Sequence, residues 1–255
     1  MLNVLRPGVK FMDYVVVKGL GGGGMSYVWL TKRLSSGELF VVKEPIIKEE
    51  DDQVTKINIE KIRHEANVLR VVRHENIVNL VDAFEVLRTV SNVNLRPVIM
   101  VLEYIDGPSL DSYARGRILD KNEVLNLMKQ LCDAVSFIHK HNVIHRDIKP
   151  RNILLRKSNV VKLIDFGTSR YYYDQPISNE AVISPGGYTA PEQRRFISTP
   201  QSDIWSLGAV LYFLVTGRDP EHDMPGYPDH VIATPDPRRY NKDVDDRIVK
   251  VIQKA

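Results

Sequence analysis

The stretch His145-Arg146-Asp147-Ile148-Lys149-Pro150-Arg151-Asn152 decides the reading of this chain. It puts a carboxylate, a cation and a carboxamide on one short loop. A second carboxylate follows in Asp165-Phe166-Gly167. Asp147 can accept a hydrogen bond from a hydroxyl and orient it as a nucleophile. Lys149 can neutralise developing negative charge. Asn152 and Asp165 offer hard oxygen ligands of the kind Mg²⁺ takes while it keeps waters and bridges phosphates. These residue types at these intervals suit phosphoryl transfer, which asks for positioning and charge neutralisation more than covalent chemistry. A polar turn also favours Asp and Asn, but it does not require this order followed by Asp-Phe-Gly.

Upstream, Gly19-Leu20-Gly21-Gly22-Gly23-Gly24-Met25-Ser26-Tyr27-Val28 lies between two strand-like stretches, residues 13–18 and 27–30. Glycines there let backbone N–H groups approach phosphate oxygens without a Cβ in the way. A third strand over 39–42 runs into Lys43, in Val41-Val42-Lys43. Downstream stands Thr189-Ala190-Pro191-Glu192. With these motifs the chain resembles the protein kinase family, over about residues 13–254. The loop most resembles the eukaryotic-like Ser/Thr kinases of bacteria and archaea.

The resemblance implies an α+β, bilobal kinase fold. An antiparallel-sheet N-lobe with one main helix spans 1–102, a hinge 103–106, and a mainly helical C-lobe 107–255, with ligand bound between lobes. Two glycine registers are open. One uses Gly19, Gly21 and Gly24. The other, preferred because Val28 then falls where the family has its valine, uses Gly21 and Gly23 with Ser26 as the third residue. Gly21, Gly22 and Gly23 would cover the phosphates, and Lys43 would hold them, oriented by Glu65. Leu102 matches the gatekeeper. Backbone groups around Glu103 and Ile105 would meet the adenine edge, with Val28 and Val41 above it and Leu154 below, although plain core packing explains these apolar residues equally well. Asp147 would be the base, Lys149 the γ-phosphate cation, and Asn152 and Asp165 the Mg²⁺ ligands. Lys149 is the residue Ser/Thr kinases carry at that step. His145 is expected to stack on Phe166, and Asp203 to brace the loop from inside.

Residues 165–192 match an activation segment. Ser178 or Ser184 is expected as an autophosphorylation site facing Arg146. Two departures stand out. The family has a threonine three residues before the tyrosine matching Tyr188, where this chain has Pro185. Either the loop shifts by one residue or a hydrogen bond to the catalytic loop is lost. The family also continues past the point matching Ala255, with an arginine that pairs with the glutamate matching Glu192; no residue here clearly fills that role.

Helical spacing covers 57–72 and 121–141. Residues 206–215 are apolar nearly all round, which predicts a buried helix. Further strands are expected at 77–84 and 98–103, a polar loop at 90–96, and a helix at 245–254. The 255 residues carry a net charge of +3, too mild to point to nucleic acid. The longest apolar run, 209–215, is too short to span a bilayer, and no signal-peptide stretch opens the chain. The single Cys132 fits a reducing compartment, so a cytoplasmic phosphoprotein is expected. The scattered histidines suggest no metal site. The leading expectation is a Mg·ATP-dependent Ser/Thr protein kinase with protein substrates, itself among them. An ATP-binding scaffold and a small-molecule kinase of the same fold are the alternatives.

Overall fold

β-Branched and aromatic residues are frequent in the first strands: β1 (Lys10–Phe11), β2 (Tyr14–Gly22), β3 (Ser26–Arg33) and β4 (Leu39–Pro45). Helix α1 (Asp52–Val71) follows, then β5 (Leu80–Glu85), β6 (Arg88–Val90), β7 (Val93–Leu95) and β8 (Val98–Glu103). This computed structural model describes residues 5–48, 52–90, 93–157, 159–173, 183–224 and 234–255. The chain divides into two compact units, Met1–Arg73 with Val78–Tyr104, and His74–Ile77 with Ile105–Ala255.

In the first unit six strands form an antiparallel sheet in the order β1-β2-β3-β4-β8-β5. The two-residue period of the strands sorts its faces. Tyr14, Val16, Phe40, Val42, Ile99 and Val101 cluster with Leu5 in one buried core. Helix α1 lies against β4, β8 and β5, with Ile62, Ala66 and Leu69 buried. Full burial of such a side chain is worth roughly 1.5–3 kcal/mol, so packing rather than propensity holds α1 in place.

Of residues 90–96, expected as a polar loop, Val90 closes β6 and Val93–Leu95 form β7, paired antiparallel with Arg88 opposite Leu95 and Thr89 opposite Asn94; residues 91 and 92 lie outside the described residues. Leu95 is buried with Ile47 and Ile59 in a small apolar cluster. Side chains add to the pairing: Thr89 Oγ1 donates to Asn94 Oδ1 at 2.8 Å, and an Arg88 guanidinium nitrogen lies 3.3 Å from the buried Glu44. The strand expected from Ile77 begins only at Leu80. Ile77 bridges instead to Leu163, and the Asn76 amide donates to Gln130 and the Val161 carbonyl at 2.9 Å each, which ties 74–77 to the second unit.

The second unit contains α2 (Leu110–Ala114), α3 (Lys121–Lys140), β9 (Val143–Ile144), β10 (Ile153–Arg156), β11 (Val160–Leu163), β12 (Arg170–Tyr171), α4 (Pro200–Thr216) and α5 (Asp246–Lys254). Helix α3 starts at Asp120, whose carboxylate accepts the Asn122 N–H, and buries Val124, Leu127, Leu131, Val135 and Ile138. Helix α4 is buried almost throughout, as its apolar sequence predicts. It stops at Gly217, at φ 70°, where an added Cβ would come 2.6 Å from the Arg117 backbone. Among the described residues no helix is long and apolar enough to cross a membrane.

Candidate active site

The β2–β3 hairpin pairs Gly21 with Val28 and Gly22 with Tyr27, leaving Gly23, Gly24 and Met25 at the tip. The Gly23 N–H donates to the Ser26 carbonyl at 3.2 Å, so Gly23 and Ser26 flank that tip. The glycines differ in what they do. Gly21 has φ 132°, and a Cβ on Gly22 would meet the Ser26 carbonyl at 2.8 Å; nothing lies within 4 Å of a Cβ on Gly23 or Gly24. The first two serve the hairpin, and the last two leave the backbone of the tip uncovered.

Register then places the next residues. Val28 is opposite Lys43, and Val41 is opposite Leu102, so these four side chains share one sheet face. The Lys43 ammonium lies 2.7 Å from Glu65 on α1; Glu65 is 1% exposed and Lys43 12%. Burying a carboxylate this deeply is costly without its cation, so the pair fixes the lysine. The Glu103 N–H donates to the Asn79 carbonyl at 3.0 Å, and its carboxylate accepts the Asn79 N–H at 2.9 Å. Ile105 opens the second unit and is buried.

In the second unit Asp147 is the centre of a hydrogen-bonded cluster. Lys149 Nζ lies 2.8 Å from Asp147 Oδ2, and Asn152 Nδ2 donates to Oδ2 and to the Asp147 carbonyl, each at 2.9 Å. The Ser184 hydroxyl donates to Oδ1 and sits 3.0 Å from Lys149 Nζ. Asn152 is carried to this point by the hairpin β10–β11, in which Ile153 faces Leu163. The Ile164 N–H donates to the Asn152 carbonyl at 2.9 Å, which brings Asp165 to the same end of the hairpin. Leu154 lies half-buried on β10, opposite Lys162. Arg146 and Asp165 hold φ of 73° and 64°, a backbone region disfavoured for side-chain-bearing residues and maintained here by their surroundings.

Those surroundings include Asp203, which is fully buried. It accepts the His145 N–H at 2.9 Å, the Arg146 N–H at 2.8 Å and a bond with His139 Nε2 at 2.8 Å. The His145 and Phe166 rings meet edge to face, centroids 4.7 Å apart. Both arrangements match what the resemblance implies. Arg146 is buried; its side chain donates to Ser198 Oγ at 3.1 Å and the Thr168 carbonyl at 3.2 Å.

In the activation segment the structure decides between two alternatives and corrects one expectation. The loop does shift by one residue: Ser184, not position 185, takes the place of the family's threonine, and its hydrogen bond to the catalytic loop is kept. Ser184 is 6% exposed and faces Asp147 and Lys149, so it is no ready phosphorylation site opposite Arg146. Ser178 lies outside the described residues. The Glu192 carboxylate accepts from Ser202 Oγ on α4 at 2.6 Å.

A further cluster escaped the sequence reading. The Arg115 guanidinium binds Asp111 and, at 2.8 Å, Asp219, and Asp219 also accepts the Tyr188 hydroxyl at 2.6 Å. Burial and that carboxylate hold the Tyr188 phenol well above its ordinary pKa, so it stays a donor. Only the two glycines between Ser184 and Tyr188 could have signalled the shifted loop. Asp111 is the i,i+4 partner of Arg115, a local signal, but nothing local marks Asp219.

The first unit thus carries a glycine hairpin and a lysine paired with a glutamate, and the second an Asp-Lys-Asn loop followed by Asp-Phe-Gly. The protein kinase domain family model matches residues 14–239. The chain belongs to that family. It is 33% identical over 247 residues to the DNA damage response protein kinase DUN1 of Saccharomyces cerevisiae, covering 89% of this chain and 47% of that protein. It is 32% identical over 252 residues to the serine/threonine-protein kinase PrkC of Bacillus subtilis, covering 95% of this chain and 37% of that one. CBL-interacting protein kinase 28 of Oryza sativa is 33% identical over 216 residues, with 82% and 47% covered. The chain thus spans less than half the length of these relatives.

Proposed function

We propose that this chain is a Ser/Thr protein kinase that transfers the γ-phosphate of Mg·ATP to protein hydroxyls. The observation that carries this reading is the Asp147 cluster, in which one carboxylate is oriented by Lys149, Asn152 and Ser184 together. Bound Mg·ATP would supply the phosphoryl group and much of the charge neutralisation. The residues present fit it. Asn152 and Asp165 are hard oxygen donors, too few to cage a cation alone, which suits Mg²⁺ that keeps waters and phosphate oxygens as ligands. The uncovered tip at Gly23 and Gly24 suits phosphate oxygens, with Gly21 and Gly22 shaping the hairpin. Val28, Val41, Leu102 and Leu154 are apolar surfaces for the base, and backbone groups of Glu103 and Ile105 are polar partners for its edge.

Lys43, held by Glu65, binds phosphate oxygens on this reading. Asp147 accepts the hydrogen bond of the incoming hydroxyl and orients its oxygen for attack. Lys149 neutralises the transferred group as charge moves onto it. Autophosphorylation in the activation segment and a cytoplasmic location, the latter supported by the lone Cys132, belong to the same reading. The test is transfer of labelled γ-phosphate to a generic protein acceptor and to the chain itself, followed by phosphoamino acid analysis. Label on serine or threonine that Asp147→Asn abolishes supports the proposal. Label on tyrosine alone, or none, overturns it.

A further inference from the structure

The charges beside Asp147 are arranged unequally. Asp111 and Asp219 are 16% and 18% exposed, while the Arg115 side chain between them is 44% exposed. Arg115 is also stacked over the buried Phe213 ring, 5.3 Å from its centroid. Arg151 leans on the same Asp111, with Nε 3.6 Å from a carboxylate oxygen, yet is 72% exposed. Arg115 is spent on both acids, with Nε on Asp111 and Nη1 on Asp219, whereas Arg151 keeps most of its guanidinium on the outer surface.

Two stretches of chain connect this cluster to Asp147. Arg151 precedes Asn152, whose amide holds Asp147. Asp219 binds Tyr188, which closes the loop that begins at Ser184, the hydroxyl donor to Asp147. A peptide presenting its hydroxyl to Asp147 lies along a catalytic loop whose most exposed charge next to Asn152 is the Arg151 guanidinium. Guanidinium binds carboxylates through paired N–H donors, whereas a basic peptide finds the nearby acids taken.

We infer that this chain selects acidic acceptors, a serine or threonine flanked by Asp or Glu, and that Arg151 is the principal specificity-determining residue. The inference rests on the protein kinase reading. It is tested with two peptides that share one acceptor serine, one flanked by glutamates and one by arginines, comparing kcat/KM. Wild type favours the acidic peptide by about fivefold or more at low salt, the scale of an exposed ion pair or two. The preference shrinks as ionic strength rises to about 0.5 M. Arg151→Lys keeps it, Arg151→Gln weakens it, and Arg151→Glu reverses it. Equal use of both peptides by wild type, preference for the basic one, or an unchanged ratio in both Arg151→Gln and Arg151→Glu overturns the inference. A chain that labels itself but shows no peptide preference loses this inference alone; one that transfers phosphate to nothing loses the kinase reading as well.

Discussion

At the scale of single residues, the account turns on how Asp147 is held. The Ser184 hydroxyl donates to one of its oxygens while Lys149 and Asn152 meet the other. A hydrogen bond to a charged group is worth about 1.5–3 kcal/mol, so Ser184→Ala is expected to lower kcat about ten- to hundredfold. Ser184→Thr keeps the hydroxyl and most of the rate. Steady-state kinetics decide this, and equal rates for wild type and Ser184→Ala would remove Ser184 from the site. The motif residues themselves were legible in sequence because their order is tied to one chemistry. Ser184 was not, because counting from Tyr188 lands on Pro185 and only the folded loop shows that Gly186 and Gly187 absorb the extra residue.

At the scale of elements, β4 presents two chemistries on its two faces. Lys43 points to Glu65, and the next residue, Glu44, is buried on the opposite side with Trp29 Nε1 at 3.1 Å and Arg88 at 3.3 Å. Lys43→Met should abolish transfer and destabilise the unit by up to about 3–5 kcal/mol, because Glu65 is left buried and unpaired. The double variant Lys43→Met/Glu65→Leu should regain most of that stability but no activity, read by chemical denaturation beside the transfer assay.

Burial raises the Glu44 carboxyl above its ordinary value, more than Arg88 and Trp29 lower it. A raised folded pKa means the folded chain holds this proton more tightly. The contribution is therefore intact below the unfolded carboxylate range and is lost as pH rises through the raised value. Glu44→Gln removes the titration and keeps an acceptor oxygen. Between about pH 4 and about pH 7.5, the melting temperature of wild type is expected to fall relative to Glu44→Gln; a constant difference would refute this. Strands and helices with a clear apolar period were readable in advance. The β6–β7 pair was not, since each strand has only three residues, too few for a period to show.

At the scale of the whole chain, long-range pairing was the hidden part. Asn76, in sequence between the two segments of the first unit, is claimed by Gln130 and Val161 of the second, and Arg115 reaches Asp219 across more than a hundred residues. No local pattern encodes such partners. What the sequence does carry is a family's set of residues, and the structure gathers its chemical half around Asp147. The central claim is that this cluster transfers phosphate rather than merely accompanying a nucleotide-binding surface. The most direct measurement pairs Mg²⁺-dependent γ-phosphate transfer with ATP-induced thermal stabilisation, in wild type and Asp147→Asn. The account predicts stabilisation in both proteins, with transfer in wild type falling by about 10²-fold or more in the variant. Stabilisation by ATP with no transfer in wild type, or equal transfer in both, would contradict it.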